Sequence, residues 1–336
     1  MKVAIIGRNQ LLYSTALAIK EAGHEIACII TAKASPEYEK KEDDFKKLAE
    51  KMGVPFFLTN TLDMPEIEKI CKGLDIGISV NWVSVIKQKH IDLFKYGILN
   101  SHHGDLPKYR GNACSNWAII NNEKYIVNTI HFMEGEKLDC GRVILQEKFE
   151  LNEDKTITDV YKWSEKIVPL SYVKALKILQ EKPDFTLKYA DVNSPESFRC
   201  YPRLPEDSFI DWKKPATEIH NLIRAVSYPY SGAYTYHWHK GEVKKLIILK
   251  SKIVSLETKD IAVPGHVLKN DKESGESYVK CGDGILALLK CKYEGEEEFM
   301  PGKKWKSIRM RLGIRPEDWL WRITNILKAN KQINMQ

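Results

Sequence analysis

The sequence predicts an α/β chain that opens on a doubly wound, mostly parallel sheet and closes on a small antiparallel β-barrel. Two observations carry this. A buried-strand run at Val3–Gly7, a helical period from Leu11 to Ala22 stopped by Gly23, and a second strand run at Glu25–Ile30 make a β-α-β start. Past residue 226, short strand-like runs separated by turn formers replace helical periods. A length of 336 residues provides for about two domains, each with its own core.

Taken in order, Pro36–Met52 reads as a polar helix with charges of both signs, and Asp75–Val80 as a central strand with Asn81–Ile86 just past its end. Gly97–Leu99 is a short buried strand running into Asn100. Thr156–Gln180 is a long helix that closes the first domain, and the turn formers in Tyr189–Glu196 place a linker near residues 187–208. A helix at Ala216–Val226 leads to five strands: Ala233–Trp238, Lys245–Ile253, Ile261–Leu268, Ser277–Cys281 and Gly284–Lys292. Five short strands suit a small barrel, with Asp283-Gly284 as its tightest turn. Trp319–Met335 has the pattern of an amphipathic helix. The boundaries that follow are 1–190 for the first domain, 205–315 for the barrel and 316–336 for the tail.

Composition excludes several classes. No stretch approaches about 18 apolar residues, and Met1-Lys2-Val3 runs straight into a strand, so neither a membrane span nor a signal peptide is expected and the cytoplasm is the default. Seven cysteines with no C-x-x-C argue against a disulfide framework or a zinc site. Gly7-Arg8-Asn9-Gln10 has one glycine where a dinucleotide site wants G-x-G-x-x-G, which removes the NAD reading. His237-Trp238-His239 puts two rings on one strand face, but no third ligand is close in sequence and no metal is expected. The net charge of +7 lies wholly in residues 200–336, with 24 Lys and Arg against 17 Asp and Glu. For Lys303–Lys306 and Arg309–Arg311 a solvated basic face is the preferred reading.

The chemistry concentrates in Asn100-Ser101-His102 and in Asp139, 37 residues further on. Two positions apart on a strand, the amide and the ring point the same way, at the edge where open α/β sheets bind ligands. An amide to hold an oxyanion, an imidazole to manage a proton and a carboxylate to orient the imidazole together suit acyl transfer to an amine. His103 alternates to the other side of the strand as a packing residue.

The residues around this set add a resemblance. Asn100-Ser-His-His-Gly-Asp-Leu-Pro-Lys-Tyr-Arg-Gly111, Asn116-Trp117-Ala118 and Leu138-Asp-Cys-Gly-Arg-Val-Ile144 resemble the N-x-H, L-P-x-x-R-G and D-x-G signature of the folate-dependent formyltransferases. Arg203–Trp212, His220–Val226 and Tyr230–Tyr234 are similar to the second domain of the longer members, so the likeness covers roughly residues 1 to 310. It implies a Rossmann-like catalytic domain, an OB-like barrel, and Asn100, His102 and Asp139 as the catalytic groups. N10-formyltetrahydrofolate is the implied formyl donor, with no metal, and Trp82, Val83, Ile86 and Leu138 are the implied walls of the donor site.

For the acceptor, the resemblance is closest to the enzymes that formylate nucleotide-linked amino sugars, such as UDP-4-amino-4-deoxy-L-arabinose. Residues 31–48, where tRNA formyltransferases carry an Arg-rich loop, hold no arginine and five acidic residues, a poor grip for phosphates. Lys108, Arg110 and Arg203 are the expected ligands of a UDP or dTDP diphosphate. Methionyl-tRNA formyltransferase is the alternative, a non-catalytic RNA-binding relative the second, and a homodimer is left open. No membrane partner is expected.

Overall fold

The computed structural model describes residues 1–239, 242–255, 261–314 and 316–333. It divides into two compact units, one of residues 1–118, 123–152 and 159–202, the other of residues 119–122, 153–158 and 203–336.

In the first unit, β1 (Lys2–Gly7), α1 (Asn9–Glu21) and β2 (Glu25–Thr31) follow the β-α-β start. After them come α2 (Glu42–Met52), β3 (Phe56–Leu58), α3 (Pro65–Cys71), β4 (Ile76–Val80), α4 (Gln88–Ile91) and β5 (Ile98–His102). The chain continues through β6 (Arg110–Gly111), α5 (Cys114–Ile120), β7 (Tyr125–Phe132), β8 (Gly141–Glu150), α6 (Ile157–Glu181), β9 (Lys188–Ala190) and β10 (Arg199–Cys200). Eight strands form one sheet in the order β3-β2-β1-β4-β5-β7-β8-β9. It is parallel through β5 and antiparallel beyond.

Alternate side chains of the parallel strands feed two apolar layers, as a sheet covered on both faces requires. Val3, Ile5 and Ile29 pack with Leu12 and Ile19 of α1 and Tyr172 and Leu176 of α6. Ala4, Ile6 and Ile30 pack on the other face with Ile67 of α3, Ile91 and Phe94. The strand order reverses between β1 and β4, which opens the crevice at their carboxyl ends. The strands approach so closely there that a Cβ on Gly7 would stand 1.9 Å from the Val80 carbonyl oxygen, and its φ of +133° also favours glycine.

Three expectations are corrected. The helix expected from Pro36 begins at Glu42, because the Asp44 carboxylate accepts a hydrogen bond from the Lys41 N–H (3.0 Å) and fixes the start of the first turn. The proposed linker near residues 187–208 belongs largely to the first unit: β9 pairs with β8, β10 with β6, and the Trp117 indole donates to the Tyr201 carbonyl (2.9 Å). Its turn formers make local turns, Asn193 N–H to Asp191 at 2.9 Å among them, between strands too short to show a period. The strand expected at Ile261–Leu268 is confined to Val267–Asn270, since Pro264 offers no N–H and Gly265 lies against the Leu312 carbonyl.

The second unit opens with a 3-10 turn (Pro205–Ser208) and α7 (Ala216–Ala225). Among the described residues its strands are β11 (Ala233–His239), β12 (Glu242–Val254), β13 (Val267–Asn270), β14 (Ser277–Lys280), β15 (Ile285–Tyr293) and β16 (Glu298–Phe299). They run β11-β12-β15-β14-β13, with β16 on β15, and every pairing is antiparallel. This curled half-barrel closes over Trp212, Ile219, Ile223, Leu246, Leu286 and Trp305. The short α8 (Pro301–Lys304) and the long α9 (Pro316–Ile333) complete it. All seven thiols are buried and free.

Within the first unit, the fully buried Tyr172 hydroxyl donates to the Ser79 carbonyl at 2.5 Å and joins α6 to the end of β4. Tyr172→Phe is expected to lower unfolding stability by about 1–2 kcal/mol, the cost of leaving a buried carbonyl without its donor, read by urea denaturation with an unchanged m value.

Candidate active site

β5 carries Asn100 and His102 to the carboxyl edge of the sheet, between parallel β4 and antiparallel β7. Asp139 comes from the loop between β7 and β8. Its backbone is left-handed (φ +47°), and Gly141 turns the chain back where any Cβ would lie 2.4 Å from the Phe132 carbonyl oxygen. The D-x-G pattern is therefore a device for turning a carboxylate inward. Asp139 Oδ1 stands 3.4 Å from His102 Nδ1, and its Oδ2 accepts the Gly111 N–H at 2.8 Å.

The segment between β5 and β6 supplies the rest of the cage. His102 Nε2 lies 2.6 Å from the Tyr109 carbonyl oxygen. A carbonyl only accepts, so Nε2 carries a proton and Nδ1 is the nitrogen left to gain or lose one at Asp139. Gly104 makes this contact possible: a Cβ there would sit 2.6 Å from His102 Nε2 and 2.3 Å from the Tyr109 oxygen. Thr129 Oγ1 donates to the Gly104 carbonyl (2.7 Å), Gln146 donates to Thr129 (2.9 Å) and Asp105 (3.1 Å), and Arg110 Nη1 donates to the Leu138 carbonyl (3.3 Å). The L-P-x-x-R-G and D-x-G segments thus brace each other.

His131 is the residue that sequence reasoning missed. It sits opposite Asn100 on β7, almost wholly buried, with its Nε2 3.3 Å from Asn100 Nδ2. Its Nδ1 faces two carbonyls, Phe132 and Cys140, each at 3.0 Å, so the proton is on Nδ1. Burial pushes its pKa below the usual histidine value, which favours the neutral ring. Neutral Nε2 must accept, so Asn100 donates one N–H to it and keeps the other for a ligand. The only trace of this in sequence is a histidine inside a run of buried residues, Ile126–Phe132, with no motif of its own.

Other expected residues fall as follows. His103 turns away from the site, its ring 6.5 Å from Trp163, and burial pushes its pKa down to about 4. Trp82 is partly buried, Val83 is exposed, and Ile86, 2 % exposed, packs in the core. Leu138 is exposed. The 81–88 and 134–140 loops are joined by Glu136 N–H to the Ile86 carbonyl (3.2 Å) and Gly135 N–H to Gln88 Oε1 (2.9 Å). Trp82 and Ile86 also line a cavity of about 210 Å³ with Asn60–Asp63, Ser84, Val85, Lys87 and His90. Lys108 pairs with Glu196 at 3.8 Å. Arg203 belongs to the second unit, where its guanidinium donates to the Asp207 carbonyl (2.6 Å).

Among the described residues one group has metal-like spacing, Asp63, Glu68 and His90. The ammonium groups of Lys87 and Lys89 already neutralise Asp63. His237 and His239 lie 5.9 Å apart, and His237 stacks on Tyr293 as a packed aromatic whose pKa burial pushes down to about 4.

The family model described as formyl transferase matches residues 1–176, and that of the formyl transferase C-terminal domain matches residues 204–308. The chain belongs to the formyltransferase family. A methionyl-tRNA formyltransferase of Agathobacter rectalis is 31 % identical to it over 314 residues, covering 90 % of this chain and 95 % of that protein. Among solved structures, an N-formyltransferase of Helicobacter canadensis in complex with folinic acid and dTDP-3-aminofucose has a TM-score of 0.62 at 21 % identity, covering 86 % of this chain and 98 % of the other. A 4-N formyltransferase of Francisella tularensis has a TM-score of 0.53 at 22 % identity, covering 77 % and 98 %. These likenesses place this formyltransferase in their fold.

The paired contacts of Asn100 give a test within this formyltransferase. His131→Leu is expected to lower kcat about tenfold or more with a smaller change in KM, because the amide loses the partner that aims its free N–H. Gly104→Ala is expected to lower both kcat and Tm, since its Cβ must push Tyr109 off His102. Steady-state kinetics and a thermal melt read both.

Proposed function

We propose that this formyltransferase moves a formyl group from N10-formyltetrahydrofolate to the primary amine of a nucleotide-linked amino sugar. The observation that carries the reaction is the caged set itself: one free Asn100 N–H, His102 Nδ1, and Asp139 held by the Gly111 amide. Bound in the site, the donor supplies an electrophilic formyl carbon. Asn100 donates to the formyl oxygen as negative charge develops there; loss of one such donor costs about 10²–10³ in turnover. As the amine nitrogen bonds to the formyl carbon, His102 takes its proton at Nδ1 and Asp139 steadies the charged ring; the bond from the formyl carbon to N10 then breaks, the proton passes to N10, and tetrahydrofolate leaves.

The donor walls suit a flat heterocycle. Val83, Val85 and Leu138 are exposed apolar side chains on two loops that hydrogen-bond to each other, a surface that gains by being covered. Trp82, Val83 and Leu138 are the proposed contacts, with Ile86 behind them.

For the acceptor, the segment between β2 and α2 favours a small molecule. The Tyr38 hydroxyl accepts from Asn81 Nδ2 at 2.7 Å, and its ring lies 5.4 Å from the Arg8 guanidinium carbon, so an aromatic side chain covers the ends of β1 and β4. Glu37 and Glu39 flank it, and Glu42, Asp43 and Asp44 open α2. Lys108 and Arg110 are the proposed diphosphate ligands on the first unit. Arg203 holds that role on the sequence match alone. Methionyl-tRNA is the second reading, favoured by the 31 % identity to the Agathobacter rectalis enzyme.

The test offers purified enzyme and N10-formyltetrahydrofolate a panel of UDP- and dTDP-linked 3-amino and 4-amino sugars beside charged initiator tRNA, and follows release of tetrahydrofolate. Turnover on a nucleotide sugar, at least 100-fold above that on the tRNA, is the expected result. Turnover on the tRNA alone overturns the sugar assignment, and no turnover with steeply salt-sensitive RNA binding points to the non-catalytic relative.

A further inference from the structure

Tyr109 holds an uncommon backbone position for a large residue. Its φ is +54°, in the left-handed region that only glycine enters freely. This turn carries its carbonyl oxygen to within 2.6 Å of His102 Nε2. The side chain supplies the hold. The residue is buried, its ring meets the Phe198 ring edge-on with centroids 4.7 Å apart, and the next residue, Arg110, donates its N–H to the Phe198 carbonyl (3.1 Å). At the far end of the ring the hydroxyl donates to Glu123 Oε1 at 2.7 Å. Glu123 follows α5 and is placed by its own N–H, which donates to the Ala118 carbonyl (2.9 Å). All of these residues belong to the first unit.

The Tyr109 carbonyl has an opponent in Asp139. A carboxylate is a stronger acceptor than a carbonyl, and Asp139 Oδ1 stands 3.4 Å from His102 Nδ1. Facing Asp139 alone, the neutral ring would carry its single proton on Nδ1 and have no lone pair there for an amine. The close carbonyl opposes that arrangement, because a proton moved to Nδ1 would leave the Nε2 lone pair against the Tyr109 oxygen, two acceptors in contact.

We infer that Tyr109 and Glu123 are positioning residues: the hydrogen bond from the Tyr109 hydroxyl to Glu123 pins the left-handed turn, so that the Tyr109 carbonyl keeps the proton of the neutral His102 ring on Nε2 and leaves Nδ1 open to the acceptor amine. This rests on the reading that Nδ1 takes the amine's proton. The ring of Tyr109 thereby connects an exposed glutamate at the end of α5 to the choice of the nitrogen that acts as base.

Nitrogen-15 NMR of the full chain labelled at histidine reads the proton directly, since protonated and unprotonated ring nitrogens resonate far apart; the His102 signals are those lost in His102→Ala. At pH 8.5, about two units above the usual histidine value, the wild-type ring is expected to be protonated on Nε2. Tyr109→Phe and Glu123→Ala are each expected to shift the signals towards the Nδ1–H form. Each is also expected to lower kcat about fivefold, with KM for N10-formyltetrahydrofolate changed by less than about twofold. Turnover is measured on whichever amine of the sugar and tRNA panel the wild-type enzyme formylates. Glu123→Gln keeps an acceptor oxygen and is expected to restore both the ring signals and kcat. Variants that lose Tm but keep the wild-type ring signals and kcat overturn the inference, as does a Glu123→Gln enzyme as slow as Glu123→Ala. A wild-type ring already protonated on Nδ1 overturns the underlying choice of base, whereas an Nε2–H wild type whose ring ignores both substitutions overturns this inference alone.

Discussion

The site depends on the position of one short strand. β5 is the last parallel strand of the sheet and the first with an antiparallel neighbour, so its two edges meet different partners. On the β4 side it is fixed in the crevice geometry of a doubly wound sheet. On the β7 side Asn100 stands directly opposite His131, which gives the amide a buried acceptor and leaves one N–H to use. Turning this strand over would send His102 and Asn100 into the apolar layer, which is why register is so strongly specified here.

Around that strand the structure holds the polar groups through contacts from the protein itself. The contacts of His102 and Asp139 come from segments that a glycine allows to approach, Gly104 under the imidazole, Gly111 at the carboxylate and Gly141 at the turn that presents Asp139, while Asn100 is held from the neighbouring strand by His131. Groups held this way need little rearrangement as charge develops, and that pre-organisation is where oxyanion stabilisation gains its size. Braced loops also make the two halves of the signature interdependent, since the Arg110 guanidinium bonds to the Leu138 carbonyl and the Gly111 amide to Asp139.

Much of this was legible in the sequence. Asn100 and His102 were legible as a pair because strand alternation turns them the same way, Asp139 was joined to them by the D-x-G resemblance, and the parallel half of the sheet was legible because buried runs alternate with helical periods. β7 and β8 were not read: β7 buries Asn128, Thr129 and His131 among its apolar residues, so neither strict alternation nor a clean apolar run marks it. His131 was lost with its strand. The Tyr109 carbonyl is a backbone group, invisible to any reading of side chains. β9 and β10 read as linker in the sequence because two- and three-residue strands have no period, and only their partners in space define them. The early start given to α2 came from reading charge alternation as helix where Asp44 sets the true first turn.

The central claim is that His102 and Asp139 act as one proton-handling pair beside the Asn100 amide. Single-turnover formyl transfer measured for His102→Ala and Asp139→Asn, with folding checked by thermal melt, tests it most directly. The account predicts a rate at least about 10³-fold below wild type for each variant, a double variant scarcely slower than either, and a Tm within a few degrees of the parent. A folded His102→Ala enzyme that transfers formyl at the wild-type rate would contradict it.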